Sequence, residues 1–405
     1  MRPGPLAAVS IVAAVLGGIV VLVVGKAAGW VSTGTKTKTV VVQQPVDSPQ
    51  LTRGRQAGVP STRLLRGGFD AAKIYASRSP GVVTLVAAFG NPNALSQAAQ
   101  GSGFVVSPKG YILTSSHVIT NAGEGSLSNI APATRVYAEF QDHDRVPAKI
   151  VGWDVFDDVG VLKVDPSVHQ LRPVPLGDSA DVVVGEPVAA IGSPFGNENS
   201  LSVGVVSATK RSIKSLTSRF DIIDAIQTDA AINHGNSGGP LFDSRGEVIG
   251  INAQIRSDSG NAEGVGFAVP IDLAQRSMAQ LIATGHVSYA YVGVLTEDLT
   301  PSIARRFGYP VTHGAVITSV VPHTPAAKAG LRGGDKRETV FAQQFTRGGD
   351  VIVAIDGTPV ASAEDVVRTV TERLSPGQRA TFTIYRGGAR RNVTLTLTGR
   401  PSSSG

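Results

Sequence analysis

Cysteine is absent from the 405 residues. That removes disulfide staples, thiolate-held zinc, iron–sulfur clusters and thiol nucleophiles together. Aromatic residues are scarce, at 5% of the chain, and no repeat with a period of 20–50 residues occurs. Most of the length also lacks an excess charge of either sign. The first 70 residues hold eight Lys or Arg (Arg2, Lys26, Lys36, Lys38, Arg53, Arg55, Arg63, Arg66) against Asp47 and Asp70, which is the whole net charge of +6. Residues 71–405 are therefore balanced and offer no basic footprint for a phosphate backbone, so no nucleic acid is expected as a partner. What the chain has in quantity is apolar material, 42% of residues, and turn formers, with 47 glycines and 24 prolines. That composition suits a packed, turn-rich chain of two or three domains.

Residues 1–5 are a short leading segment, and residues 6–25 form an apolar run of twenty without a charge. A helix of that length spans about 30 Å, the hydrocarbon thickness of a bilayer. A cleavable signal usually has an apolar stretch of about 7–15 residues followed by a small-x-small site. Here the run is longer and Lys26 follows it directly, so 6–25 is expected to be a single transmembrane helix, with a cleaved signal and a buried helix as alternatives. Basic residues flank it on both sides and do not set its orientation. Residues 26–68, rich in Thr, Gly, Gln, Pro and Val, read as a flexible tether.

From Phe69 the pattern changes. A helical spacing over 69–77 ends before Pro80. Short apolar runs broken by Gly, Pro, Asn and Asp then follow at 82–88, 103–107, 111–115, 135–140, 148–153, 160–164, 187–191, 201–208, 225–228, 248–253 and 266–269. Strands at that spacing, with almost no helix between them, predict antiparallel barrels or sandwiches. A helix over 271–284 closes a domain at 69–285. A smaller unit at 289–400 has predicted strands at 291–295, 314–321, 350–355, 379–386 and 390–398 and a helix at 363–373, leaving a tail at 401–405. The tetrapeptide Arg-Gly-Gly-Asp occurs at 332–335 and 347–350 and brackets an inserted hairpin.

Ser237 lies in Gly235-Asn236-Ser237-Gly238-Gly239-Pro240. A nucleophilic serine needs an exposed hydroxyl and convergent backbone N–H groups, and glycines let the chain turn and a substrate approach. The hexapeptide also fits G-x-S-x-G, but that elbow requires a helix after the serine, whereas Pro240 and a strand-like segment follow. Among seven histidines, His117 ends a strand at a polar turn and is the best base. His143 sits at a hairpin tip between two aspartates, His169 lies in a loop, and His234 is too close to Ser237 along a tight loop. The base needs a shielded carboxylate. Asp158 abuts the apolar segment 159–164 and qualifies, whereas Asp154 and Asp157 suit a solvated loop. The order His117, Asp158, Ser237 is that of chymotrypsin-type double barrels.

Three segments, Thr114-Ser115-Ser116-His117-Val118, Asp158-Val159-Gly160-Val161-Leu162-Lys163 and Gly235-Asn236-Ser237-Gly238-Gly239-Pro240-Leu241, resemble the motifs of the HtrA (Deg) family. Gly101-Ser102-Gly103-Phe104, Ala190-Ile191-Gly192-Ser193-Pro194-Phe195-Gly196 and Gly264-Val265-Gly266-Phe267-Ala268-Val269-Pro270 match it as well. The resemblance implies a mainly β protein: a trypsin-like double β-barrel followed by one PDZ domain, in a layout like that of the membrane-tethered members. It implies an ATP-independent serine endopeptidase of protein quality control that takes unfolded or mislocalised proteins, works outside the cytoplasm and assembles as a homotrimer, with Phe69 and Tyr75 as contacts. No cofactor or metal is expected. Gly235, Asn236 and Ser237 would form the oxyanion hole. Ala231 and Ile232 would form the specificity pocket, which lacks the acid of a trypsin-like pocket and so implies cleavage after small or medium aliphatic residues. Tyr291, Val292, Gly293 and Val294 would form the loop that captures peptide C-termini. The insertion at 336–349 is placed to obstruct or reshape that groove. The alternative is a quiescent chaperone or scaffold that binds unfolded chains or peptide ends.

Overall fold

The computed structural model describes residues 68–90, 97–122, 129–193, 200–233, 235–255 and 265–401. Among them no helix is long and apolar enough to cross a membrane. The expected transmembrane helix at 6–25, the tether up to residue 67, and His234 lie outside the described residues.

A helix at Ala71–Arg78, capped by Asp70, leads into the first of two barrels. Its six strands are β1 (Val82–Phe89), β2 (Gln97–Val105), β3 (Tyr111–Thr114), β4 (Arg135–Glu139), β5 (Arg145–Asp154) and β6 (Val159–Lys163), closed in the order β1-β2-β3-β6-β5-β4. The second barrel comprises β7 (Pro187–Gly192), β8 (Ser200–Lys214), β9 (Asp221–Thr228), β10 (Pro240–Phe242), β11 (Val248–Ile255) and β12 (Gly266–Pro270), closed as β10-β11-β12-β9-β8-β7. The open choice between barrels and sandwiches is thus resolved in favour of barrels. Strand β10 was not anticipated, being three residues long and opening on a proline.

Each barrel fills its own interior. Leu85, Ile112 and Leu162 are fully buried in the first, and Val188, Val206 and Leu241 in the second. A third cluster joins them, with Val82, Phe104 and Val161 meeting Ile191, Phe242 and Ile251. Burying a side chain of this size contributes about 1.5–3 kcal/mol, so this seam holds the two barrels face to face. Phe69 and Tyr75 pack half-buried against the same cluster.

The helix Ile271–Thr284 lies where the spacing placed it and stops at Gly285, whose left-handed φ of 79° lets its N–H return to the Leu281 carbonyl. Its buried face carries Ala274, Ser277 and Leu281. The C-terminal unit is a sheet in the order Val294–Asp298, Ala315–Val320, Val351–Ile355, Arg379–Arg386, Ala389–Thr396. The helix Ala363–Arg373, started by a reciprocal cap between Ser362 and Asp365, packs Val366 and Val370 onto it. A helix at Pro301–Phe307, missed in the sequence, carries a Thr300 cap and a Gly308 stop. The inserted hairpin pairs Lys336–Val340 with Gln343–Arg347. Phe345 in this hairpin stacks on Phe307 of that helix, with ring centres 5.8 Å apart.

Candidate active site

β3 ends at Thr114, and the chain enters a one-turn helix, Ser116–Ile119, that carries His117. Asp158 immediately precedes β6, which pairs with β3 (Thr114 opposite Gly160), so the two segments arrive side by side. Asp158 has φ +53°, a left-handed conformation that Asp tolerates better than most residues but that still carries strain. That turn aims its carboxylate at three donors. Ser116 Oγ lies 2.8 Å from Oδ1, the His117 backbone N–H lies 3.0 Å from Oδ1, and His117 Nδ1 lies 2.7 Å from Oδ2. The acid is 2% exposed. Burial works to lower the His117 pKa, but the charge of Asp158 and its hydrogen bond together outweigh it and hold the imidazole above its ordinary value.

Ser237 belongs to the turn before β10, on the second barrel. A Cβ added at Gly238 would come within 2.9 Å of the Ser115 nitrogen and 2.3 Å of Thr114 Oγ1. The nucleophile loop is therefore pressed against the segment that leads to His117. Two segments far apart in the chain, that of Ser237 and that leading to His117, thus lie side by side. The Ser237 hydroxyl donates to the Ala253 carbonyl at 3.1 Å, and among the described residues no hydrogen bond joins it to His117. Gly235 has φ +101°, and neither its N–H nor that of Ser237 has an acceptor among the described residues. The Asn236 N–H, by contrast, is committed to the Asn233 carbonyl, and Asn236 Nδ2 donates to the Ala231 carbonyl at 3.2 Å. Asn236 orders the loop rather than presenting a donor. Ala231 is exposed, while Ile232 is buried against Gly266, where an added Cβ would meet its Cγ1 at 2.6 Å.

Ser102 was legible only as a serine between two glycines. Its hydroxyl donates to the Gly235 carbonyl at 2.6 Å and accepts from the Ser193 N–H at 2.9 Å, while its own N–H reaches the Ser237 carbonyl at 2.8 Å. One residue of β2 thus holds the nucleophile loop at two points. The closeness of Gly101 and Gly103 to Val118, Ile112 and Leu85 explains why glycines flank it.

The expectation for Asp154 and Asp157 is corrected. Both are buried, at 2% and 7% exposure, because Ser277 and Tyr289, both far away in sequence, close over them. His143 does lie at a turn with φ +66°. His169 stacks on Phe140 and faces Asp142.

In the C-terminal unit, a groove of about 400 Å³ runs between the strand Val294–Asp298 and the helix Ala363–Arg373. Tyr291, Val292, Gly293 and Val294 all border it. Gly293 has φ +85°, and an added Cβ would lie 2.3 Å from Thr324. Among the described residues the N–H groups of Val292 and Gly293 have no acceptor. Arg219 and Phe220, from the β8–β9 connection, border the same groove, and none of residues 336–349 does. The insertion buttresses the opposite side and leaves the groove open.

An imidazole braced by a buried carboxylate, with an alcohol on the adjoining segment and two N–H groups that have no acceptor among the described residues, is suited to acyl transfer. Residues 101–251 match the trypsin-like peptidase domain, and residues 290–397 match the PDZ domain. The chain is 40% identical over 303 residues to a probable periplasmic serine endoprotease, DegP-like, of Halomonas elongata, covering 75% of this chain and 57% of that one. It is 37% identical over 304 residues to the chloroplastic Protease Do-like 1 of Arabidopsis thaliana, covering 75% and 64% respectively. The chain thus spans little more than half the length of these curated relatives. Among solved structures, the HtrA-type protease AlgW with a tripeptide superposes with a TM-score of 0.68 at 34% identity, over 82% of this chain and 98% of that one. On these grounds the chain belongs to the HtrA family of trypsin-like serine proteases that carry a C-terminal PDZ domain.

Proposed function

We propose that the chain is a serine endopeptidase in which Ser237, His117 and Asp158 form the catalytic triad of a unit at 69–285, with a PDZ unit at 289–400. The observation that carries this reading is the 2.7 Å contact between His117 Nδ1 and the shielded Asp158 carboxylate, beside the Ser237 loop. Ser237 Oγ attacks the scissile carbonyl carbon while its proton passes to His117 Nε2. Asp158 keeps Nδ1 protonated and stabilises the imidazolium. The N–H groups of Gly235 and Ser237 receive the oxyanion, and losing one such donor typically costs about 2.7–4 kcal/mol of barrier. His117 then protonates the leaving amine, and water repeats the sequence on the acyl-enzyme. At the base of the specificity pocket, Ala231 and Ile232 supply no acid, which favours small or medium aliphatic residues before the cut.

The substrates proposed are unfolded or mislocalised proteins, cleaved without ATP on the extracytoplasmic side, with residues 6–25 anchoring a homotrimer to the membrane. The relatives named as periplasmic support that compartment. Peptide C-termini would enter the groove at Tyr291–Val294, where two N–H groups are available to a carboxylate. A second reading, a quiescent scaffold, is favoured by one observation: the Ser237 hydroxyl is turned to the Ala253 carbonyl. Hydrolysis of casein by the chain and by Ser237→Ala separates the two. A rate abolished by the substitution supports the peptidase; equal rates support the scaffold.

A further inference from the structure

Beside the site, and outside its chemistry, two buried carboxylates meet one phenol. Tyr289 Oη lies 2.5 Å from Asp154 Oδ2 and 2.7 Å from Asp157 Oδ2. Ser277 Oγ donates to the same Asp154 oxygen at 2.7 Å and lies 3.2 Å from the phenol. A phenol has a single hydrogen. If it is donated to Asp154, Asp157 faces a lone pair at 2.7 Å and must itself carry a hydrogen; if it goes to Asp157, the same holds for Asp154. Two ionised carboxylates against one phenol, out of water, would repel each other, and the further donors to Asp154, Ser277 Oγ and the Phe156 and Asp157 N–H groups, do not reach the contact between the phenol and Asp157.

The cluster also lies at a seam. Asp154 and Asp157 flank the turn from β5 to Asp158. Ser277 comes from the helix Ile271–Thr284, and Tyr289 from the segment joining the two units. The end of the C-terminal unit returns here, because the strand Thr398–Gly399 pairs with Ala290–Tyr291 and the Arg400 N–H donates to the Tyr289 carbonyl at 2.8 Å. The Arg400 guanidinium packs over the rings of Phe156, Phe220 and Tyr289 at 5.1, 4.6 and 5.1 Å. We propose that Asp154 and Asp157 share one proton, and that this proton, through Tyr289, latches the start and end of the PDZ unit onto the loop that carries Asp158, so that the latch tightens in acid and loosens in alkali.

The charged and titratable groups facing the pair are Tyr289 and Arg400 from the PDZ side and Arg276 from the helix. Burial, followed by the neighbouring Asp154 charge, pushes Asp157 up to about 7 despite the hydrogen bond from Tyr289 and the two arginines, and burial raises Asp154 as well. Between about pH 4 and about pH 7 the closed latch holds a proton that an exposed carboxyl has released. Closure is therefore strongest at low pH and weakens as pH rises through that window.

The test needs no substrate and stands apart from the proteolytic reading. Infrared spectra of the full chain at pH 5.5 should show the carbonyl band of a buried protonated carboxyl that fades with a midpoint near neutrality. Asp157→Asn, which keeps a hydrogen-bond donor towards Tyr289 and cannot titrate, should lack the band. The Tm of the unsubstituted chain should fall between pH 5.5 and 8.5 by about 3 °C or more relative to that variant. If no such band is present in the unsubstituted chain, or if the two chains share one pH slope, the latch is overturned. Should Asp157→Asn fail to fold, the infrared titration of the unsubstituted chain decides alone.

Discussion

Asp158 and the pair Asp154–Asp157 lie within one five-residue stretch and are almost equally buried, yet their surroundings are opposite. Asp158 meets three donors from two residues and braces His117. Asp154 also accepts from Ser277 Oγ and from the Phe156 and Asp157 N–H groups, but Asp154 and Asp157 have only one phenolic hydrogen of Tyr289 between them. Depth of burial alone does not distinguish them. What distinguishes them is the neighbour: Asp154 and Asp157 lie against one phenol and against each other, whereas Asp158 faces the imidazole of His117.

The comparison breaks most sharply at the nucleophile. Ser237→Ala should lower kcat roughly 10⁴–10⁶-fold while leaving the Asp154–Asp157 titration untouched, as read by peptide hydrolysis and by infrared in parallel. Asp158→Asn comes next, with kcat expected to fall by about 10⁴. It also sharpens the contrast through pH. In the unsubstituted enzyme His117 must be neutral to accept the Ser237 proton, and its raised pKa places the acid limb of kcat/KM above the usual histidine value, with activity lost below it. Without the Asp158 charge only burial remains, so the limb should move to lower pH; a limb that stays in place would mean that Asp158 does not set it.

Ser102→Ala should be smaller again. It removes the hydroxyl that holds the Gly235 carbonyl, at a cost of about 1–3 kcal/mol, and kcat should fall more than KM rises if the loop that it steadies presents the oxyanion donors as proposed. The smallest effect is expected at Arg368, whose guanidinium grips both Asp224 oxygens at 2.8 and 2.6 Å and ties the PDZ helix to β9. Both partners are partly exposed, so Arg368→Ala should cost about 1 kcal/mol or less, with a loss that shrinks as salt is raised. A salt-independent loss in thermal unfolding would show that the grip is not electrostatic.

Much of this was legible in the sequence because it is written locally. The helices 271–284 and 363–373 carry their own periodicity and stops, and the strand at 379–386 needed no tertiary help. The three motifs around His117, Asp158 and Ser237 each name a residue type that its chemistry requires. Ser102 was harder, since a serine between glycines has no local signature of a keystone. Strand β10 was too short to have a period. The solvated loop expected at Asp154 and Asp157 failed because nothing within ten residues indicates that Tyr289, 135 and 132 positions away, will close over them.

The sequence by itself determined most of the elements and their order, the candidate triad residues Ser237, His117 and Asp158, and the inserted hairpin, all of which follow from neighbours within a turn or a strand. Only the tertiary structure decided which carboxylates are buried together, which way the Ser237 hydroxyl turns, and that the insertion leaves the PDZ groove open. Those depend on the burial and hydrogen-bond partners that each group receives, and partners brought from distant strands are a property of packing rather than of local pattern.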